Sequence, residues 1–136
     1  MKVSTKGRYA MRVMLDLAEN GGDGGFVSLK GIAERQEISV KYLEQIISVL
    51  LKAGYVESAR GSTGGYRLAK KPEEYTFGDI LRAAEGSLVP VSCAEESRCT
   101  RSKRCRVCKY WKGLYEVINR YIDSVTLAEI MQNTPS

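Results

Sequence analysis

The chain has no histidine among its 136 residues. Imidazole chemistry is therefore excluded, and proton transfer near neutral pH would fall to perturbed cysteine, lysine or carboxylate groups. Prolines number three and phenylalanines two, too few for a proline-rich linker or an aromatic-laden repeat. No apolar run approaches the roughly 20 residues that span a bilayer, so no membrane partner is expected. The opening stretch, "MKVSTKGRYAMRVMLDLAEN", is charged throughout and lacks the apolar core and small-residue cleavage site of a secretory signal. A cytoplasmic location is expected from that. Internal repeats and low-complexity segments are also missing.

What is present reads as one globular domain with a real core, at 43% hydrophobic and 27% charged residues. The net charge of +5 suits a nucleic-acid partner without establishing one. All four cysteines fall between residues 93 and 108. In a reducing compartment such a cluster points to a metal site or redox chemistry rather than structural disulfides.

Periodicity predicts a first helix over residues 5–19, with Met11, Met14, Leu15 and Ala18 on its apolar face. The run Asn20-Gly21-Gly22-Asp23-Gly24-Gly25 ends it. Ser28 is the expected N-cap of a short helix with Leu29, Ile32 and Ala33 inward. Three residues later Ser39 caps a longer helix, whose Leu43, Ile46, Ile47, Leu50 and Leu51 fit one strong stripe. Gly54 is placed to end it. "YVESA" and "YRLAK" alternate as strands do, around the glycine-rich turn "RGSTGG". Thr76 and Asp79 form a capping box for a helix closed by Gly86. Residues 87–108 read as irregular. A last long helix follows from about Lys109, and Thr126 with Glu129 suggests a short terminal helix.

Two helices joined by three residues, then a basic hairpin, make a winged helix-turn-helix. The expected fold class is mainly α (α+β), with a two-stranded wing and a long C-terminal dimerisation helix. Such a domain reads double-stranded DNA with the first turns of its second helix in the major groove. Ser39, Lys41, Tyr42, Glu44 and Gln45 occupy those turns. Gln45 can pair with adenine and Glu44 can accept from cytosine. Arg60 and Arg67, with Lys70 and Lys71, are placed to reach phosphates or the minor groove. An amphipathic helix with a polar start is also often only a solvated face.

The thiols follow the pattern Cys93-x5-Cys99-x5-Cys105-x2-Cys108. Thiolates suit zinc, copper(I) or iron–sulfur iron. Cysteine-only zinc sites commonly pair two short knuckles, whereas here one spacing is short and two are long. Iron–sulfur ligation suits a loop of this kind better. From Arg98 to Lys112 there are seven basic residues (Arg98, Arg101, Lys103, Arg104, Arg106, Lys109 and Lys112) and no acidic one. They would offset an anionic centre and favour thiolates. Zinc, or a metal-free thiol sensor, remains open on the residues alone. So does a thiol redox enzyme using Cys105-x-x-Cys108, although the βαβ unit that usually carries such a motif is missing.

The stretches "STKGRYAMRVMLDLA", "ISVKYLEQIISVLLKAG" and "RGSTGGYRLAK" closely resemble the IscR-type iron–sulfur cluster regulators of the broader Rrf-type winged-helix family. The likeness covers about residues 1–130. It implies a homodimeric transcription regulator, a repressor or activator, whose binding to a pseudo-palindromic operator is controlled by an iron–sulfur cluster, [2Fe–2S] in that family. It also implies a base-selecting role for Glu44 and a minor-groove role for Arg60. The family's fourth ligand is a histidine at the position of Cys108, and here a fourth cysteine replaces it. Relatives with [4Fe–4S] centres use a carboxylate at the position of Arg8, which cannot ligate. Metal-free cousins that follow cysteine metabolism through a partner protein need no such thiols. The resemblance places dimerisation on the last long helix, through Trp111, Leu114, Tyr115, Ile118, Tyr121, Ile122 and Val125. The expected division is residues 1–86 for DNA binding, 87–108 for the cluster loop and 109–136 for dimerisation and a terminal helix.

Overall fold

The computed structural model describes residues 2–22, 24–95, 99–133 and 135. Asp23 and Arg98, named above, lie outside the described residues. The elements run α1 (Thr5–Asn20), α2 (Leu29–Gln36), α3 (Val40–Lys52), β1 (Val56–Ala59), β2 (Gly65–Leu68), α4 (Phe77–Glu85), α5 (Cys108–Ser124) and α6 (Leu127–Gln132). Short 3-10 turns cover Pro72–Glu74 and Ser92–Ala94. The fold is a mainly helical winged helix-turn-helix with a two-stranded antiparallel wing.

Helix starts follow the local chemistry. Ser28 Oγ accepts from Gly31 N–H at 3.0 Å and Ser39 Oγ from Tyr42 N–H at 3.2 Å, each filling an otherwise unpaired first-turn donor. Thr76 and Asp79 exchange both bonds of a capping box at 2.9 Å. At the far end of α3, Gly54 takes φ 76°. Tyr55 N–H then reaches the Leu50 carbonyl and Gly54 N–H the Leu51 carbonyl, a Schellman ending that turns the chain into β1. Glu37, Ile38 and Ser39 make the turn between α2 and α3, with Ile38 buried.

The main core gathers Ala10, Val13, Met14 and Leu17 of α1, Ile32 and Ala33 of α2, and Leu43, Ile46, Ile47 and Leu50 of α3. The buried face of α1 is rotated from the expected one. Met14 is central, whereas Met11, Leu15 and Ala18 sit at its half-buried margin. Leu51, expected inward, lies on the exposed side of α3. Asp16 is also buried on α1, 2% exposed. Arg35 of α2 grips its carboxylate with two bonds of 2.8 and 2.9 Å, and Gln36 Nε2 adds a third at 2.8 Å. That staple fixes α1 against α2.

The wing pairs Val56 with Leu68 through Ala59 with Gly65. Val27, ahead of α2, bridges to Tyr66 and ties the wing to the helices. Tyr75, 1% exposed, anchors the wing's base. Its hydroxyl donates to the Tyr55 carbonyl at 2.7 Å and accepts from Lys70 N–H at 3.0 Å. Burial pushes its phenol pKa up, a group held protonated as a donor. Tyr75→Phe leaves both backbone groups without that partner. It is expected to destabilise by about 1–3 kcal/mol, read as a lower urea midpoint at unchanged m-value.

A second, smaller core of Leu81, Leu88 and Ile122, flanked by Phe77 and Ile118, seats α5 on α4. Arg82 pins the same contact by two bonds to Asp123, at 2.8 and 2.9 Å, and one to Asn119 at 2.9 Å. After α5 the chain returns to the first core. Phe77 N–H donates to the Val125 carbonyl at 2.8 Å, Leu127 N–H to the Tyr75 carbonyl at 2.9 Å, and Leu127 is fully buried in the main core, its helix packed on α1. The segment 109–136 thus contributes both to an outer helix and to the core of residues 1–86.

Candidate functional site

The packing of α3 leaves one face open. Ser39, Lys41, Glu44 and Gln45 are exposed, all on that face or at its start. The Ser39 hydroxyl accepts from the α3 backbone and so serves as that helix's cap. Tyr42 is half-buried, with its ring edge-on to Tyr9 at 5.8 Å between centroids. Tyr9 in turn carries the Arg12 guanidinium at 4.7 Å, and Arg12 Nε donates to Gln36 Oε1 at 3.1 Å. This chain of contacts through α1 and α2 fixes the position of Tyr42 at the head of α3. Tyr9 and Arg12 were not singled out from sequence; their spacing of three on one helix face is the signal that was there to use.

The two wing arginines differ. Arg60 is exposed beside the turn and lines a groove with Ser28, Leu29 and Tyr66. Arg67, also expected to reach phosphate or the minor groove, makes contacts within the wing and the loop before α2. It pairs with Glu57 at 3.0 Å, donates to the Gly24 carbonyl at 3.0 Å and stacks on Phe26 at 4.5 Å. The cross-strand pairing of Glu57 with Arg67 explains the capture. Lys70 Nζ stands 5.9 Å over the Tyr55 ring.

The thiol loop connects α4 to α5. Cys93 lies in the Ser92–Ala94 turn and Cys108 opens α5, while Cys99 and Cys105 lie in the segment between. All four are free and half-buried. Their donor chemistry fits a soft metal or an iron–sulfur centre. The fold as described does not assemble them: among the described residues no three cysteine or carboxylate side chains stand together as metal ligands. Arg101, Lys103, Arg104, Arg106, Lys109 and Lys112 are exposed along the same stretch.

The sequence matches the Rrf2 family, described as an "Iron-dependent Transcriptional regulator", over residues 3–133. The chain belongs to the Rrf2 family. "Protein rrf2" of Nitratidesulfovibrio vulgaris is 43% identical over 134 residues, covering 98% of this chain and 89% of that protein. The solved structure of CymR, the global cysteine regulator of B. subtilis, superposes with a TM-score of 0.80 at 38% identity and covers 99% of both chains. The structure of T. potens IscR gives 0.74 at 42% identity, covering 100% of this chain and 94% of that one. The chain is therefore an Rrf2-family transcription regulator that binds DNA, which removes the thiol redox enzyme as a reading of Cys105-x-x-Cys108. Among the described residues no helix is long and apolar enough to cross a membrane.

In this Rrf2 member the apolar stripe of α5 divides between two sides. Ile122 is buried and Ile118 half-buried against α4, and Tyr115 and Val125 are half-buried. Trp111, Leu114 and Tyr121 face outward, joined by Tyr110 and Val117, with exposures from 38% to 64%. The near-heptad spacing merged these sets because positions i, i+3 and i+4 sweep a wide arc of a helix. Ile122 is 6% exposed, its side chain packed within its own chain against Leu81 and Leu88.

Proposed function

We propose that the protein is a dimeric DNA-binding regulator controlled by an iron–sulfur centre held by Cys93, Cys99, Cys105 and Cys108. The observation that carries the reading is the position of four free thiols on the one loop between α4, packed against the reading domain, and α5, whose outer face is apolar. When bound, the centre supplies a redox- and iron-sensitive link across that loop. Cys93, Cys99, Cys105 and Cys108 supply four soft thiolate donors for it, from the turn after α4 to the first residue of α5. The exposed cations from Arg101 to Lys112 offset its negative charge. A [2Fe–2S] centre is the form suggested by the resemblance to IscR-type regulators.

On this reading Trp111, Leu114, Val117 and Tyr121 meet the same residues of a second copy, a two-fold arrangement that presents two α3 helices to a pseudo-palindromic operator. Glu44 and Gln45 select bases, Lys41 and Ser39 support them, and Arg60 contacts the DNA from the wing.

Protein purified without oxygen from iron-replete cells is expected to be coloured and to contain iron and acid-labile sulfide in equal amounts. A Cys99→Ser variant is expected to lose most of both while keeping the helical spectrum of the wild type. Affinity for operator DNA is expected to differ between the iron-loaded and iron-free forms. Colourless protein without labile sulfide, or equal affinity in both forms for every duplex tried, overturns the reading. A second reading is favoured by the close superposition on CymR: a metal-free regulator responding to cysteine supply. It predicts no metal at all, whereas one zinc per chain would mark a structural site.

A further inference from the structure

The exposed face of α3 is longer than base reading requires. Lys41, Glu44, Gln45, Ser48 and Lys52 recur at helical spacing and are all exposed. Lys6, on the first turn of α1, lines one groove with Lys41, Glu44, Gln45, Ser48, Val49 and Lys52. A residue from another helix thus borders the reading face at its side.

Dimensions decide what the far end meets. From Lys41 to Lys52 the helix rises about 16 Å, at roughly 1.5 Å per residue. The major groove is only about 12 Å wide. A helix that enters the groove by its first turns and lies inclined to it, the docking taken here, carries its last turn past the groove's rim, onto a sugar–phosphate strand. Lys52 lies on that last turn. The ion pairs found among the described residues are Arg35–Asp16, Arg67–Glu57 and Arg82–Asp123, so neither Lys6 nor Lys52 is paired there. Two ammonium groups without acidic partners, bordering a reading helix, match a phosphate strand and give no purchase for reading bases.

We propose that Lys6 and Lys52 form a phosphate clamp on double-stranded DNA, separate from the Arg60 groove at the wing. The clamp fixes how deeply and at what angle α3 sits, and is indifferent to sequence. It rests on α3 being the base-reading helix and is independent of the iron–sulfur reading.

The test uses full-length protein and duplexes enriched from a random library by the wild type. Lys6→Gln and Lys52→Gln remove one charge and keep chain length. Each is expected to lower the slope of log K against log salt by about 0.9 per bound chain, so that the affinity lost between 50 and 200 mM salt shrinks by about 3.5-fold. Binding at low salt weakens by the same factor on enriched and scrambled duplexes. Lys6→Arg and Lys52→Arg keep the wild-type slope, which rules out misfolding as the cause. Unchanged slopes in both glutamine variants, or an altered base preference, overturns the clamp. Gln45→Ala separates the two assignments: altered base preference at unchanged slope keeps α3 as the reading helix whatever the lysines do, and unaltered preference removes it.

Discussion

Arg35→Ala is expected to destabilise the protein by about 3–4 kcal/mol, more than Asp16→Ala at about 2 kcal/mol. The order follows from which partner is left behind. Asp16 has a side chain 1% exposed, whereas Arg35 is 40% exposed. Without Asp16, the guanidinium turns to water and loses little. Without Arg35, the carboxylate stays sealed between α1 and α2 with Gln36 as its remaining side-chain donor. A buried charged group stripped of its counter-ion is among the few single defects worth several kcal/mol. The hydrogen bonding that Arg35 donates to Asp16 is also the largest cause raising the Arg35 pKa. The double variant Asp16→Ala/Arg35→Ala should then be more stable than Arg35→Ala alone, a non-additivity characteristic of a coupled pair. Urea unfolding of the three variants checks it. Equal losses from both single variants would mean the carboxylate finds water or another partner.

That staple shows where reading the sequence stops. Caps and turns were legible because their chemistry is local: Ser28, Ser39, Thr76 with Asp79 and Thr126 each bond three residues ahead. The helix-turn-helix and wing were legible because apolar periodicity changes from 3.6 to 2 at Val56. Asp16 meets Arg35 across 19 residues, and no local spacing announces such a pair. A carboxylate three residues after Val13, on the buried side of α1, was the available hint. Arg67 shows the same limit. Its charge is plain in the sequence, and only the strand register reveals that Glu57 stands opposite it. The thiols are the reverse case. Their types and spacing alone speak for a soft inorganic centre, because ligand chemistry is carried by the residue type and not by a partner far along the chain.

Gly78→Val is expected to loosen α5 from α4 and to destabilise the protein by about 2–3 kcal/mol. Gly78 is buried where the two helices cross. A Cβ there would land on the Asp123 carboxylate, 2.8 Å from Arg82 Nη1 and 3.0 Å from Ile122 Cγ1. Asp123, with its side chain 46% exposed, can swing outward. Ile122 is only 6% exposed and cannot, so the helix must move. The ion pair itself is a small part of the loss: at this exposure it contributes under about 1 kcal/mol. Acid separates the two contributions. Asp123's carboxyl is held below its ordinary value chiefly by the hydrogen bond from Arg82. A lowered folded-state pKa means stability present above the ordinary carboxylate range, about pH 4, and lost as pH falls through the lowered value. Wild type should show that loss and Asp123→Asn should not. Gly78→Val, with the pair already parted, should show a flatter acid profile at lower stability throughout. Because α5 begins at Cys108 and carries the exposed Trp111–Tyr121 face, a displaced α5 also alters how that face is presented. On the proposed pairing of two copies through that face, Gly78→Val should change sedimentation and operator affinity as well as stability, whereas Asp123→Asn, which leaves Ile122 seated, should leave sedimentation near wild type. Matching sedimentation in both variants would place the joint's role in folding alone.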